Sequence, residues 1–150
     1  MMMQNIAVEN RTMMTANADH EEFEDSFHST RQFLLQIRDL ARKITLLKNR
    51  IAYREGAGLN SEEYGVVSVE RLHSELADAE RALKVATIRV TDLIGELKDG
   101  TQQAVMTKRY VDGKSWDAIA LQMDIGVRAV QRAHGKALWT LDRILAAERN

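Results

Sequence analysis

The stretch that says most about the fold runs from Arg109 to Leu138 and reads RYVDGKSWDAIALQMDIGVRAVQRAHGKAL. Ser115 stands where an N-cap residue begins a short helix. Asp124-Ile125-Gly126 then supplies a tight turn, and a longer helix is predicted from Val127 to about Ala147. Helices joined in this way have the layout of a helix-turn-helix, whose second helix can enter the major groove of DNA.

A helix-turn-helix needs a small residue where its helices cross, an apolar residue inside the turn, and a cap for the second helix. Ala120 is predicted to lie at the crossing, Ile125 to fill the turn, and Gly126 to stand at the N-cap. Asp124 occupies the position where glycine often ends the first helix. Aspartate tolerates a left-handed backbone better than most residues, so the turn is compatible with this sequence.

The last helix is predicted to be amphipathic. Its apolar stripe is expected to be buried and consists of Val130, Ala133, Ala137, Leu138, Leu141, Ile144 and Leu145. The residues expected to face away from this stripe are Val127, Arg128, Gln131, Arg132 and Gly135. Arginine and glutamine are side chains that recognise guanine and adenine edges. Trp139 lies past the turns that would face the groove and is predicted to pack. His134 is equally compatible with a phosphate contact and with a solvent-facing or helix-packing position.

Two heptad seams precede this module. The first has 4-3-4-3-4 spacing and consists of Phe33, Ile37, Leu40, Ile44, Leu47 and Ile51. The second consists of Val69, Leu72, Leu76, Ala79, Leu83, Ala86, Val90, Leu93 and Leu97. Gly56 is predicted to end the first helix and Ser68 to cap the second, with a loop near residues 56–65. The seams predict a long, coiled-coil-like antiparallel hairpin over residues 31–99.

The junction between the hairpin and the last module contains further turn signals. Asp99-Gly100 is predicted to end the long helix, and Thr101 to cap a short helix from Gln102 to Val111. Ile88 and Ile94 lie off the second seam and widen its apolar face. The chain is therefore predicted to be all-α, with the hairpin followed by a helix-turn-helix bundle over residues 100–150. A two-helix hairpin encloses little core, which favours a homodimer formed through it.

Composition supports this fold class and narrows the function. The chain contains no proline and no cysteine, so long helices are permitted and disulfides are excluded. No apolar run is long enough for a membrane span or a signal peptide, which makes a cytoplasmic location the default expectation. Residues 1–30 are predicted to be a disordered acidic segment. Five acids lie between Asp19 and Asp25, and a solvated tail or acidic helical turn is favoured there over an autoinhibitory mimic of DNA.

The charge of the chain is divided unevenly. The net charge is −1, but residues 101–150 hold 8 Lys/Arg and 5 Asp/Glu, a net of +3. Residues 1–100 hold the other 13 Lys/Arg and 17 Asp/Glu, a net of −4. The basic excess thus coincides with the helix-turn-helix, so we expect weak, strongly salt-dependent affinity for non-specific DNA.

The C-terminal block resembles region 4 of bacterial sigma factors, and more closely the phage and prophage transcriptional regulators of the ArpU-like and RinA-like types. The matching residues are Arg109, Tyr110, Gly113, Ser115, Trp116, Ile119 and Ala120, followed by Val130, His134, Ala137 and Leu138. The chain departs from the pattern at Asp124, Gly126 and Ala129. The resemblance implies base contacts by Arg128, Gln131 and Arg132. It implies DNA backbone contacts near Lys114, Ser115 and Trp116, and we add Lys136 as a phosphate contact.

These observations predict a sequence-specific regulator of transcription that binds double-stranded DNA, with RNA polymerase as a second possible partner of the hairpin. One alternative is the DNA-recognition subunit of a phage packaging machine, the small terminase, which also combines helix-turn-helix and coiled-coil parts. Another is a protein-interaction module that no longer binds DNA. His20, His28 and His73 are scattered, and no nucleophile–base pair or phosphate loop is present. We therefore expect no catalysis, metal or cofactor.

Overall fold

The computed structural model describes residues 27–58 and 68–149. All regular structure in these ranges is helical, which confirms the all-α prediction. No helix within them is both long and apolar enough to cross a membrane. In chain order the elements are α1 (His28–Leu34), α2 (Gln36–Ala57), α3 (Val69–Gly95), α4 (Gly100–Met106), a π-helical turn (Thr107–Val111), α5 (Trp116–Met123) and α6 (Val127–Arg149).

The helices α2 and α3 pack against each other through the two heptad seams. Their shared cluster contains Ile44, Leu47, Ile51, Leu72 and Ala79, with Leu76 and Leu83 partly buried beside it. The pair is antiparallel, because His73 near the start of α3 lies 3.0 Å from Glu55 near the end of α2, Nε2 to Oε1. Both seams therefore face each other within one chain.

The ends of this helix pair follow local sequence signals. Gly58 ends α2 in a left-handed conformation, with φ at 65°. This lies two residues beyond Gly56, where the sequence predicted the end. At the start of α3, the Ser68 hydroxyl oxygen accepts a hydrogen bond from the Arg71 amide at 3.2 Å, which confirms the predicted N-cap. Most of the predicted loop near residues 56–65 lies outside the described residues.

A second cluster, the central core, joins the open end of the hairpin to the last helix. Its buried members are Phe27, Leu34, Val90, Leu93, Ile94, Leu97, Met106, Tyr110, Ala137, Leu138 and Leu141. Most of them lie in α1, α3, α4, the π-helical turn and α6. Phe27 directly precedes α1, and Leu97 follows the end of α3. Ile94 thus lies in this core, whereas Ile88 is exposed on the outer face of α3.

The first described helix begins earlier than the sequence predicted. Residues 28–30 were expected to be disordered, but they form the first turn of α1, and Phe27 and Thr30 are buried. The Thr30 hydroxyl donates a hydrogen bond to Asp142 Oδ1 at 2.7 Å. This contact with α6 explains the difference, because no local pattern before Phe33 reveals it. The predicted disorder of residues 1–26 lies outside the described residues.

The junction after α3 also differs from the prediction. The helix ends at Gly95 rather than at Asp99-Gly100, and the Gln103 amide nitrogen donates to the carbonyls of Gly95 and Leu97. The cap of α4 is Asp99, whose Oδ1 accepts from the Gln102 amide at 2.9 Å, and Thr101 is not the cap. The Gln103 side chain of α4 thus satisfies carbonyls at the end of α3. The helix therefore ends before the predicted Asp99-Gly100.

Candidate nucleic-acid interface

The turn between α5 and α6 has the geometry of a Schellman motif. Asp124 lies in the left-handed region with φ at 55°, as its sequence position predicted. Its amide donates to the Leu121 carbonyl at 3.3 Å, and the Ile125 amide donates to the Ala120 carbonyl at 3.1 Å. These two bonds satisfy the last carbonyls of α5 and set the direction in which α6 leaves the turn.

Both helices of the candidate motif are capped as predicted. The Ser115 hydroxyl oxygen accepts from the Ala118 amide at 3.1 Å, so this side chain begins α5. The Gly126 carbonyl accepts from the Val130 amide at 3.1 Å, as an N-cap carbonyl should. The start of α6 at Val127 therefore follows from the turn.

A third cluster, the motif core, holds α4, α5 and α6 together. Val105, Ile119, Ala120, Val130 and Ala133 are buried in it, with Trp116, Met123, Ile125 and Val127 partly buried around them. Val127 was predicted to face away from the buried stripe, and that prediction is wrong. The residue packs here because it is the first of α6, directly after the turn that Ile125 fills.

The three side chains predicted to contact bases lie together on the outer surface of α6. Arg128, Gln131 and Arg132 are all exposed, and Lys136 follows one turn later. None of the four side chains forms an ion pair or hydrogen bond with any residue in the described ranges. At 3.6 residues per turn they share one face, opposite Val130 and Ala133. The structure thus leaves this basic surface uncovered within the described chain.

Gly135 lies in the middle of this face. A Cβ atom placed on it would meet nothing within 4 Å, and its backbone is helical. Glycine here is not needed for packing within the described chain, although it weakens the helix by about 1 kcal/mol relative to alanine. The absent side chain leaves the α6 backbone open to close approach from outside.

Trp139 extends the same face by one more turn, and the prediction that it packs inside is wrong. Its side chain is 53% exposed, and the Arg143 guanidinium lies 4.5 Å from the centroid of its ring. No other element in the described part of the chain covers this position, and there the ring stacks on the arginine. We define the α6 face as Arg128, Gln131, Arg132, Gly135, Lys136, Trp139 and Arg143. It is roughly 22 Å long at ~1.5 Å per residue.

The predicted DNA backbone contacts lie at the start of α5. Lys114 is exposed, and its carbonyl accepts a hydrogen bond from Arg109 Nη1 at 3.0 Å. Trp116 is half-buried, with the Arg109 guanidinium 4.3 Å from its ring centroid and the His134 ring edge-on at 4.7 Å. Trp116 is therefore part of the packing, while Lys114 is free to reach outward.

His134 and Tyr110 form a polar contact between the π-helical turn and α6. The Tyr110 hydroxyl lies 2.6 Å from His134 Nε2, and the two rings stack at 5.7 Å. Burial lowers the pKa of His134 to about 4, with help from Arg31 and Arg109, and burial raises the pKa of Tyr110. Both groups are neutral at pH 7, so Tyr110 can donate to Nε2. Of the two roles open to His134 from sequence, the structure supports packing.

The lowered pKa of His134 makes the stability of the fold depend on pH. Between pH 6.5 and about 4 the unfolded state binds a proton at this residue and the folded state does not. The free energy of unfolding is therefore expected to fall on acidification, by at most about 3 kcal/mol from this group. Chemical denaturation at pH 7 and pH 4.5, compared between the natural chain and His134→Gln, measures this contribution.

His28→Gln is the matched control for that experiment, because His28 is exposed. The three proteins contain the same carboxylates, so the contribution of these groups to the pH dependence cancels in the comparison. The His134→Gln variant should lose less stability on acidification than the natural chain, whereas His28→Gln should behave like the natural chain. Equal pH dependence in all three would contradict the assignment of His134 as a buried neutral group.

Comparison with known proteins gives no relatives for this chain, since no protein-family model, curated protein or solved structure matches it. Within residues 27–58 and 68–149 no group of three or more His, Cys, Asp or Glu is placed to hold a metal ion. The functional argument therefore rests on the geometry of the α6 face and the turn before it.

Proposed function

We propose that this chain is a sequence-specific DNA-binding regulator of transcription, of the type found in phages and prophages. The observation that carries the proposal is the exposed set of Arg128, Gln131 and Arg132 on the first turns of α6, whose side chains pair with no described residue. These residues follow a Schellman turn with Asp124 in the left-handed region, which we propose as the turn of a helix-turn-helix. In such modules the first turns of the second helix contact base edges in the major groove.

The proposed mode of binding assigns a role to each part of the surface. Arginine donates bidentate hydrogen bonds to guanine and glutamine to adenine, which gives Arg128, Arg132 and Gln131 the recognition of sequence. Lys114 and Lys136 would neutralise phosphates on either side of the groove, joined by the backbone amides near Ser115 and Trp116. The net charge of +3 over residues 101–150 adds attraction that depends on salt.

Selection of bound sequences from a pool of random duplexes tests this function directly. We expect one short motif to be enriched, and the affinity for it to fall as salt is raised. The selected duplex should bind at least about 1,000-fold more tightly than an unrelated one. Failure to enrich any sequence, with no salt-dependent affinity for duplex DNA, would reject the proposal.

A protein-interaction module is the second candidate, and two exposed apolar side chains favour it. Leu121 on α5 is 84% exposed, and Trp139 on α6 is 53% exposed. Aromatic side chains such as Trp139 are enriched in the surfaces that proteins use to bind one another. A module of this kind would show no affinity for any duplex in the selection experiment.

Dimerisation through the hairpin is the proposed route to a two-fold binding site. The heptad seams are buried within the chain, so a partner could contact only the outer faces of α2 and α3. Leu46 and Tyr53 are exposed on α2, and Val85 and Ile88 are exposed on α3. We propose the α3 pair as the contact with a second copy, and RNA polymerase as the alternative partner of this surface.

Replacing Val85 and Ile88 together with aspartate should therefore convert a dimer to a monomer without loss of helix. Solution mass measured by light scattering gives the result, and Asn49→Asp with Ala52→Asp, at exposed positions on α2, serves as the control. A monomeric natural chain would contradict dimerisation. A ring larger than a dimer would instead favour a DNA-packaging recognition subunit.

Gly135→Ala is expected to raise the stability of the fold and to weaken DNA binding. Because nothing lies within 4 Å of the added Cβ, the variant should be more stable by about 1 kcal/mol. The same methyl group projects from the centre of the α6 face, so we expect weaker binding of the selected duplex. Thermal unfolding and a binding titration measure the two effects. Unchanged affinity would show that DNA does not approach the α6 backbone at this residue.

A further inference from the structure

A groove that the proposed DNA contacts do not use runs along one flank of α2. We call it the α2 groove. It has a volume of about 790 Å³ and lies between α2 and the turn at Val111 to Gly113. Its floor includes Leu35, Ile37 and Val111, which pack on the outside of the central core. The apolar part of the groove lining thus lies against the central core.

The rim of the α2 groove is basic. Arg38, Arg42 and Arg109 line it, against the single carboxylate of Asp112. Arg42 forms no ion pair with any described residue, and Arg38 pairs only with the adjacent Asp39, at 3.1 Å. An apolar floor beneath three guanidinium groups matches a peptide that has one large apolar side chain flanked by carboxylates. A DNA phosphate backbone would leave the apolar floor uncovered.

The chain itself contains a segment of this composition. Asp19 to Asp25, with the sequence DHEEFED, carries five carboxylates around one phenylalanine, Phe23. It belongs to the 26 residues that precede the described part of the chain. We propose that this segment binds in the α2 groove, with Phe23 on the apolar floor and its carboxylates on Arg38, Arg42 and Arg109.

The connection to the described chain is long enough for this contact. The described residues begin at Phe27, which is buried in the same central core that supports the groove floor. Phe23 lies four positions before Phe27, and an extended chain spans up to roughly 14 Å over four peptide units. Helix α1 leads from Phe27 to the near end of the groove at Leu35, over about 12 Å. A tethered segment also has a high effective concentration at the groove.

Because the chain contains no cysteine, a pair of introduced thiols tests this binding in the full-length protein. The test variant combines Glu24→Cys with Ala41→Cys, since Ala41 is an exposed residue that lines the groove. The matched control combines Glu24→Cys with Thr91→Cys, an exposed position on α3 beside the central core and outside the groove. Under mild oxidation the intramolecular disulfide should form about tenfold faster in the test variant.

Two further substitutions separate specific binding from chance collision. Adding Phe23→Ala or Arg42→Glu to the test variant should reduce the rate to that of the control, because each removes one of the two complementary features. Equal rates in the test and control variants would overturn the inference. A disulfide found only between two chains would also overturn it, and would assign the groove to the segment of a second copy.

Discussion

A variant with Arg128→Ala and Arg132→Ala is expected to lose specific binding to the selected duplex. Each bidentate contact between arginine and guanine contributes about 1–3 kcal/mol of discrimination. Loss of both corresponds to roughly 30-fold to 20,000-fold in affinity for the selected sequence. Both side chains are exposed and unpaired with any described residue, so their removal leaves the helix and its buried face intact. A fluorescence titration against selected and unrelated duplexes measures the change.

The control must remove the same charge from another surface. Arg50→Ala with Arg89→Ala does so, because both arginines are exposed on the hairpin helices. We expect this variant to bind the selected duplex within about threefold of the natural chain, since distant exposed charges are screened at physiological salt. Equal losses in the two double variants would indicate general electrostatic attraction. Undiminished binding by the α6 variant would refute base recognition by these residues.

Leu141→Ala is expected to cause the largest loss of stability. Leu141 is 0% exposed in the central core, where residues of α1, α3 and α6 meet. Truncation of a buried leucine removes its transfer free energy and leaves a cavity, which costs about 2–5 kcal/mol. For a domain of this size a loss at the upper end approaches a large part of the total free energy of unfolding. Denaturation by urea at 25 °C gives the value.

Leu121→Ala provides the matched control, because it makes the same chemical change at a side chain that is 84% exposed. Its effect on the free energy of unfolding should stay within about 0.5 kcal/mol. If both variants lose the same small amount, then α6 is not packed against the hairpin as described. Circular dichroism of Leu141→Ala at low urea shows whether enough folded protein remains for the measurement.

The parts of the fold that were predicted from sequence depend on residues close together in the chain. The heptad seams recur every three or four positions, so the buried positions Leu47, Leu72 and Val90 follow from periodicity. The caps Ser68 and Ser115 act within three residues, and the left-handed Asp124 reflects its own side chain and the turn around it. The exposed basic face of α6 follows from the same helical period.

The parts that were wrong or missed depend on distant residues. The start of α1 depends on the bond between Thr30 and Asp142, and the packing of His134 depends on Tyr110, 24 positions away. Trp139 was predicted to pack because it lies past the turns of α6 that would face the groove, but its burial is decided by whether another element covers it. The early end of α3 depends on the side chain of Gln103, which donates to the Gly95 and Leu97 carbonyls and which periodicity does not register. The cap at Asp99 is the exception, because its bond with the Gln102 amide is local and Thr101 was chosen in its place.

The bond between Thr30 and Asp142 joins positions 112 residues apart, and this separation has a consequence for the order of folding. At about 5–20 residues per second, the ribosome adds Leu141 roughly 6–23 s after Phe27. The α2–α3 seam is complete well before then and can form while synthesis continues. The central core cannot close until α6 has emerged, so its apolar residues stay exposed to chaperones and to neighbouring chains for many seconds.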